Sequence, residues 1–153
     1  MTGLYRLFLI SSIILLISTG CSPESCYEDR DALMKGVFYE TGTGLSLPAD
    51  SLTIVSLPSG NLIFYSKTLK AASFDLLLDP ASDESTFLIT VNGIKDTITI
   101  NSSSFPWLIS KECGFAWNHK INSAITTRNI IDTIIIRQSN VTTTDEENLR
   151  IFY

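Results

Sequence analysis

The sequence has one histidine, His119, and only three cysteines among 153 residues. A single imidazole excludes a histidine-rich metal centre and leaves few choices for a general base. Basic residues are also scarce, with 11 lysines and arginines against 16 acidic residues and a formal net charge of −5. Nucleic-acid-binding domains normally carry a basic patch, so this charge balance argues against that class of function. The length fits one domain of ordinary size.

No apolar run in the sequence is long enough to cross a membrane as a helix. The longest run covers residues 7–17, whereas a membrane-spanning helix needs about 20 apolar residues. The run follows Arg6 near the N-terminus. A positive residue followed by a short apolar run is typical of a signal peptide.

The small residues Ser18, Thr19 and Gly20 stand directly before Cys21 and resemble a bacterial lipobox. In that class of signal the leader is cut before the cysteine, whose sulfur receives a diacylglycerol and whose new amino group is acylated. The sequence therefore predicts a lipoprotein signal peptide over residues 1–20 and attachment of lipid, palmitate included, at Cys21. The lipobox usually has leucine in place of Ser18, and an ordinary cleaved signal peptide with Cys21 as a thiol is the alternative.

Cleavage after Gly20 makes the mature chain more acidic. Arg6 is the only charged side chain lost, so 10 basic residues face 16 acidic ones and the net charge becomes −6. Anionic headgroups repel such a surface, so we expect the acyl chains to hold the protein at the membrane. Ser22 follows the cysteine in place of the aspartate of an inner-membrane retention signal, which favours the outer membrane.

Two cysteines, Cys26 and Cys113, remain once Cys21 carries lipid. An even pair in a compartment outside the cytoplasm favours a disulfide. Such a crosslink stabilises a fold by roughly 4–5 kcal/mol in the chain-entropy model. A redox or nucleophilic cysteine is the alternative, but the sequence has no Cys-x-x-Cys motif.

The rest of the chain alternates apolar and polar residues with a period of two, which is typical of β-strands. Residues 21–32 are polar and acidic and are expected to form a tether, followed by one β domain over residues 33–153. The candidate strands are 33–40, 52–57, 61–66, 73–78, 85–91, 94–100, 113–125, 130–137 and 149–153. Short strands at this spacing predict an all-β fold, an antiparallel β-sandwich of about seven to nine strands. A small β-barrel is the alternative, because alternation does not show whether a sheet closes.

Asn92-Gly93 lies between two alternating segments and predicts a β-hairpin. Both central residues of a type I′ turn need a positive φ, which asparagine and glycine tolerate best. The expected register pairs Val91 with Ile94, Ile89 with Asp96 and Phe87 with Ile98. These pairs share one largely apolar face, which specifies the register.

The segment 113–125 predicts a strand whose odd-numbered residues face inward. These residues are Cys113, Phe115, Trp117, His119, Ile121, Ser123 and Ile125. On that face we expect His119 to be a half-buried, hydrogen-bonded residue rather than a catalyst. The segment 130–137 is apolar on both faces and predicts a central strand.

Several segments together resemble a known family of small Bacteroidetes lipoproteins. They are the leader ending in Gly20-Cys21, the nearby Cys26, residues 50–55, the Asn92-Gly93 hairpin, residues 112–115 (ECGF) and residues 140–153. That family is a domain of unknown function, and the resemblance covers essentially the whole mature chain. It implies lipoprotein status, a β-rich fold and pairing of Cys26 with Cys113, and it implies no activity.

Motifs for nucleophilic, zinc and phosphate chemistry are missing from the sequence. A Ser-His-Asp triad would depend on His119, and no G-x-S-x-G motif, Walker A motif or set of zinc ligands is present. We therefore expect no catalytic residue, no cofactor and no metal site. Two acidic clusters, interpreted as solvated turns with calcium binding as the alternative, are Asp79, Asp83 and Glu84, and Asp145, Glu146 and Glu147.

Trp107 follows Phe105-Pro106 in a predicted loop and is a weak candidate for a binding surface, with closure of the core as the alternative.

The resulting hypothesis is a lipid-anchored envelope lipoprotein that acts as a non-enzymatic structural, accessory or binding module. Its expected partners are the membrane, through the acyl chains, and an envelope protein or glycan. The alternative is a carboxylate-dependent hydrolase of envelope or dietary polysaccharide, whose carboxylate geometry is a three-dimensional property.

Overall fold

A computed structural model describes residues 31–57, 62–111 and 113–153. The predicted leader, Cys21 and Cys26 lie outside these ranges. The described residues form ten strands and no helix. The strands are β1 (Leu33–Tyr39), β2 (Ala49–Leu57), β3 (Ile63–Ala71), β4 (Ser73–Leu77), β5 (Glu84–Val91), β6 (Ile94–Ser110), β7 (Gly114–Thr126), β8 (Thr133–Ile136), β9 (Asn140–Val141) and β10 (Glu147–Phe152).

The strands form two sheets, and an all-β sandwich is confirmed. One sheet has the order β4-β1-β10-β8 and the other has the order β3-β2-β5-β6-β7-β9. Neighbouring strands are antiparallel except for β1 and β10, which pair in parallel. Within the described ranges both sheets are open, so the alternative of a small closed barrel is wrong. The strand count exceeds the expected seven to nine by one, because the two-residue strand β9 is too short to give a clear sequence pattern.

The Asn92-Gly93 hairpin forms in the predicted register. Asn92 has a φ of 52° and Gly93 has a φ of 88°, which is the left-handed conformation that the turn requires. The cross-strand pairs include Val91 with Ile94, Ile89 with Asp96 and Phe87 with Ile98, as the alternation predicts. This hairpin joins β5 to β6 at the centre of the six-stranded sheet.

The core lies between the two sheets and contains large apolar side chains from both. Phe38 and Phe74 come from the four-stranded sheet, and Ile54 and Phe87 from the other, and each is at most 1% exposed. The rings of Phe38 and Phe74 are 5.4 Å apart. The ring of Phe74 also packs on Gly36, where a Cβ atom would overlap ring atom Cζ and lie 2.6 Å from Cε2. A side chain at this point of β1 would therefore force the buried ring to move.

The segment 130–137 is not a central strand, contrary to the prediction. β8 covers only Thr133–Ile136 and lies at the edge of the four-stranded sheet. Ile131 is fully buried before the strand begins, and Ile135 within it is 49% exposed. The two-sided apolar pattern therefore combines a core residue from a connecting segment with a short edge strand.

The inward face predicted for β7 holds only at the centre of the strand. His119 and Ile121 are buried, whereas Phe115, Trp117 and Ile125 are 66%, 48% and 60% exposed. The strand has 13 residues, and its buried side changes between Asn118 and His119. Ala116 and Asn118 are buried on the even-numbered side, whereas His119 and Ile121 are buried on the odd-numbered side. Alternation identifies the two faces of a strand, but it does not show where the covered face changes.

Asp96 is a buried carboxylate on β6 that fixes the connection between β7 and β8. Its oxygen Oδ1 accepts hydrogen bonds from Thr127 Oγ1 at 2.5 Å and from the Asn129 amide at 2.8 Å. Oδ2 accepts from the amides of Ile130 and Ile131 at 2.8 and 2.9 Å. Burial raises the pKa of Asp96, but the four hydrogen bonds lower it by more, so the pKa lies below its ordinary value.

Candidate functional site

The strand β6 is much longer than predicted and contains Trp107. The expected strand ends at residue 100, but β6 continues to Ser110 and pairs with β7 along its length. Trp107 therefore lies in a strand, whereas the sequence predicted a loop at this position. Pairing with β5 ends at Asn101, so the outer part of β6 has β7 as its partner strand. A proline is tolerated where one edge of a strand is unpaired, which accounts for Pro106.

The outer part of this hairpin is an exposed apolar surface. We call residues 105–110 of β6 and 114–117 of β7 the aromatic arm. Its exposed large side chains are Phe105 (41%), Trp107 (58%), Leu108 (51%), Phe115 (66%) and Trp117 (48%). Soluble proteins seldom expose so many large apolar residues together, and such clusters mark contact surfaces. Sequence reasoning proposed Trp107 alone and assigned Phe115 and Trp117 to the core.

The described chain begins beside the aromatic arm. Asp31 forms a parallel β-bridge with Trp117, and the next residue, Ala32, is 1% exposed and belongs to the core. Cys113 lies at the tip of the arm, where its amide donates a hydrogen bond of 3.0 Å to Ser110 Oγ. The pairing predicted for Cys113 involves Cys26, which lies outside the described residues.

His119 is buried on β7 at the base of the arm. It is 1% exposed, and its Nδ1 lies 2.8 Å from Ser104 Oγ on β6, the residue directly opposite. Burial lowers the pKa of His119 below 6.5, which favours the neutral imidazole. The adjoining cavity is about 130 Å³ and includes Asp31 in its lining, whereas ligand pockets are usually about 300 Å³ or larger. The arrangement favours a hydrogen bond that joins two strands, as predicted, but His119 is fully buried and not half-buried.

A polar depression lies on the other side of Asp31. It has a volume of about 360 Å³ and is lined by Asp31, Leu33, Lys35, Asp75 and residues 142–145. Lys35 Nζ forms an ion pair of 2.6 Å with Asp145, and this hydrogen bond raises the pKa of Lys35. The depression is large enough for a small polar ligand.

The comparison with known families gives one match. A family model described as "Family of unknown function (DUF6452)" matches residues 51–153, about two thirds of the chain. The chain belongs to this family. No curated protein and no solved structure matches it.

The match confirms that the chain belongs to a family of unknown function, and the resemblance to Bacteroidetes lipoproteins stays a prediction. The matched range in this DUF6452 protein begins at Ser51, so the leader and Cys21 lie outside it. It includes all of the aromatic arm and the buried Asp96. The lining of the polar depression falls on both sides of that boundary, with Asp31, Leu33 and Lys35 before it.

In the first acidic cluster of the DUF6452 protein, Asp79 Oδ1 accepts a hydrogen bond from the Ala81 amide, and in the second cluster two carboxylates contact neighbouring side chains. Asp145 pairs with Lys35, and Glu147 accepts hydrogen bonds from Tyr39 Oη and from Arg150. In the ranges that the structure describes, no group of three or more histidine, cysteine, aspartate and glutamate residues is arranged to hold a metal ion. The same ranges contain no helix long and apolar enough to cross a membrane.

Proposed function

We propose that this DUF6452 protein is a lipid-anchored cell-envelope module with a non-enzymatic structural, accessory or binding role. Acyl chains on Cys21 hold it to the outer membrane, where it presents the sandwich to an envelope protein or glycan. The observation that carries the proposal is the position of Asp31, which already pairs with Trp117 only ten residues after Cys21. Ten residues span at most about 35 Å. The folded domain is therefore kept close to the membrane surface.

We further propose the disulfide between Cys26 and Cys113, and the chain lengths around the bridge support it. Cys26 precedes Asp31 by five residues, and Cys113 precedes Trp117 by four. Asp31 and Trp117 pair in parallel. The two cysteines therefore lie on the same side of this pair and at nearly the same number of residues from it. The crosslink would fix the tip of the arm near the lipid.

Metabolic labelling with a clickable palmitate tests the anchor. The wild-type protein is expected to carry the label and to partition into the detergent phase, and Cys21→Ser is expected to lose both properties. Cys26→Ser is the matched control and is expected to keep the label. Label that survives Cys21→Ser, or a wild-type protein without label, contradicts the proposal.

A second candidate is a carboxylate-dependent hydrolase, and the polar depression favours it. Three aspartates, Asp31, Asp75 and Asp145, line that depression. Glycosidases use two carboxylates placed on either side of a sugar bond. Purified protein and Asp75→Asn would be incubated with envelope polysaccharide, with the exposed Asp132→Asn as control. Release of reducing ends that Asp75→Asn alone abolishes would support the enzyme, and no release from wild-type protein would count against it.

A further inference from the structure

The aromatic arm is the outer part of a two-stranded ribbon, and Trp117 at its base also lines the small cavity beside Leu77, Leu78 and Pro80. His119 is 1% exposed and lies opposite Ser104. Toward the tip, Asn118 and Ala116 are 7% and 2% exposed, and the side chains of Trp117 and Phe115 beside them are the exposed ones. From Ser104 to Ser110 the strand extends for about 20 Å at the usual rise per residue. Among the described residues, Asp31 is the one that bridges to the arm from outside the hairpin.

The arm carries apolar side chains on both of its faces. Leu108 is paired with Phe115, and Trp107 is paired with Ala116. Successive residues of a strand point to opposite faces, so Trp107 and Leu108 lie on opposite sides of the ribbon. A protein groove would cover one face and leave the other in water. An apolar medium that surrounds the ribbon would cover both.

The position of Asp31, the first described residue, brings this ribbon near the proposed lipid. Because Asp31 and Trp117 pair in parallel, the chain before Asp31 runs in the same direction as the chain before Trp117. The residues before Trp117 lead to Gly114 and the tip of the arm. Cys21 and Cys26 are five residues apart, which spans at most about 18 Å. If Cys26 is joined to Cys113, the tip of the arm lies no farther from the acylated residue than this distance plus the length of the disulfide.

We propose that the aromatic arm inserts into the headgroup region of the phospholipid leaflet that holds the acyl chains. This inference rests on the proposed lipid anchor and adds a second contact with the bilayer, made by protein side chains. Tryptophan favours this region because its ring is apolar and its N–H is polar. The acidic chain disfavours anionic headgroups, so the leaflet surface that fits is zwitterionic.

The chain supplies its own probe for this contact. Its two tryptophans, Trp107 and Trp117, both lie in the arm, so intrinsic fluorescence reports on the arm alone. Full-length processed protein would be reconstituted into phosphatidylcholine vesicles, with and without phospholipids brominated on the acyl chains. We expect a blue-shifted emission and quenching by the brominated lipid. Replacing part of the phosphatidylcholine with an anionic phospholipid is expected to reduce the quenching.

A double variant that retains both tryptophans tests the role of the arm. Leu108→Ser with Phe115→Ser is expected to disfavour the inserted arm relative to an arm in water. The equilibrium constant for insertion is expected to fall by about tenfold for each side chain replaced. The matched control is Leu69→Ser with Ile125→Ser, which removes two apolar residues exposed by 73% and 60% outside the arm. The control is expected to leave quenching unchanged. Equal melting temperatures of the variants would show that both still fold.

Three results would overturn the inference. They are tryptophans that stay unquenched in anchored protein, quenching that the arm variant does not reduce, and tryptophans already shielded from an aqueous quencher without vesicles. The last result would mean that the tether or a second copy of the chain covers the arm. Palmitate labelling separates this inference from the anchor. Labelled protein with unquenched tryptophans refutes the arm contact alone, whereas unlabelled protein whose tryptophans are quenched by added vesicles refutes the anchor alone.

Discussion

Asp96 offers the sharpest test of how the sandwich is held together. Its two oxygens accept four hydrogen bonds from Thr127 and from the amides of residues 129–131. The side chain is 1% exposed. Asp96→Asn keeps the size of the side chain but replaces one oxygen with an NH2 group. In one orientation the NH2 group faces the amides of Ile130 and Ile131, and in the other it faces the Asn129 amide and the Thr127 hydroxyl, which can turn to accept. In both, the remaining oxygen loses its negative charge.

The expected loss of stability follows from these contacts. A hydrogen bond to a charged group contributes about 1.5–3 kcal/mol, and donors left without an acceptor in the interior add a desolvation cost. We expect Asp96→Asn to lower the free energy of unfolding by about 3 kcal/mol, which corresponds to a fall in melting temperature of about 10 °C for a domain of this size. The control is Asp132→Asn, an exposed residue nearby that accepts one side-chain hydrogen bond from Thr41. That control is expected to cost less than about 1 kcal/mol.

The pH dependence gives an independent check on Asp96. Its pKa in the folded protein lies below the ordinary value of 3.8. The stabilisation is therefore complete above about pH 4 and is lost as the pH falls through the folded-state pKa. Urea unfolding at pH 7 and at pH 3 would measure the effect. We expect the difference between wild-type protein and Asp96→Asn to shrink at the lower pH. A variant as stable as wild type at pH 7, or a gap that widens in acid, refutes the reasoning.

Three further predictions concern the core, the histidine and the disulfide. Gly36→Ala is expected to lower stability by about 1–3 kcal/mol because its Cβ would collide with the Phe74 ring; an unchanged melting temperature would argue against this. The single His119 imidazole is expected to titrate below pH 6.5 by NMR because burial lowers its pKa. Stability is expected to fall as the pH drops below 6.5, because the unfolded chain then binds a proton that the folded chain does not. A midpoint above 6.5 would contradict that assignment. Non-reducing peptide mapping is expected to join Cys26 to Cys113, with reduction costing up to roughly 4–5 kcal/mol; two free thiols would exclude the crosslink.

The sequence predicts the fold class and the central hairpin because both depend on local patterns. Alternation specifies which residues share a face, and Asn92-Gly93 requires the left-handed backbone of a tight turn. The paired residues from Phe87 to Ile98 follow directly from that turn. Strand order does not follow, because nothing local shows that the last strand pairs in parallel with the first or that β8 lies at an edge.

The exposed arm is harder to predict for a related physical reason. Phe115 and Trp117 are apolar and alternate correctly, so they match the pattern of a buried face. They are exposed because the buried side of β7 changes between Asn118 and His119, so that Ala116 and Asn118 are covered in this part of the strand instead. Pro106 adds a second obstacle, since proline usually indicates a loop and here occupies a strand with one unpaired edge.

The mass of the N-terminal peptide of the purified envelope protein tests the central claim most directly. The account predicts a peptide that begins at Cys21 and carries a diacylglycerol on the sulfur and an acyl chain on the amino group. It also predicts that Cys21→Ser yields no acylated peptide. A peptide that begins at Cys21 with an unmodified thiol, or one that retains the leader, would contradict the lipid anchor.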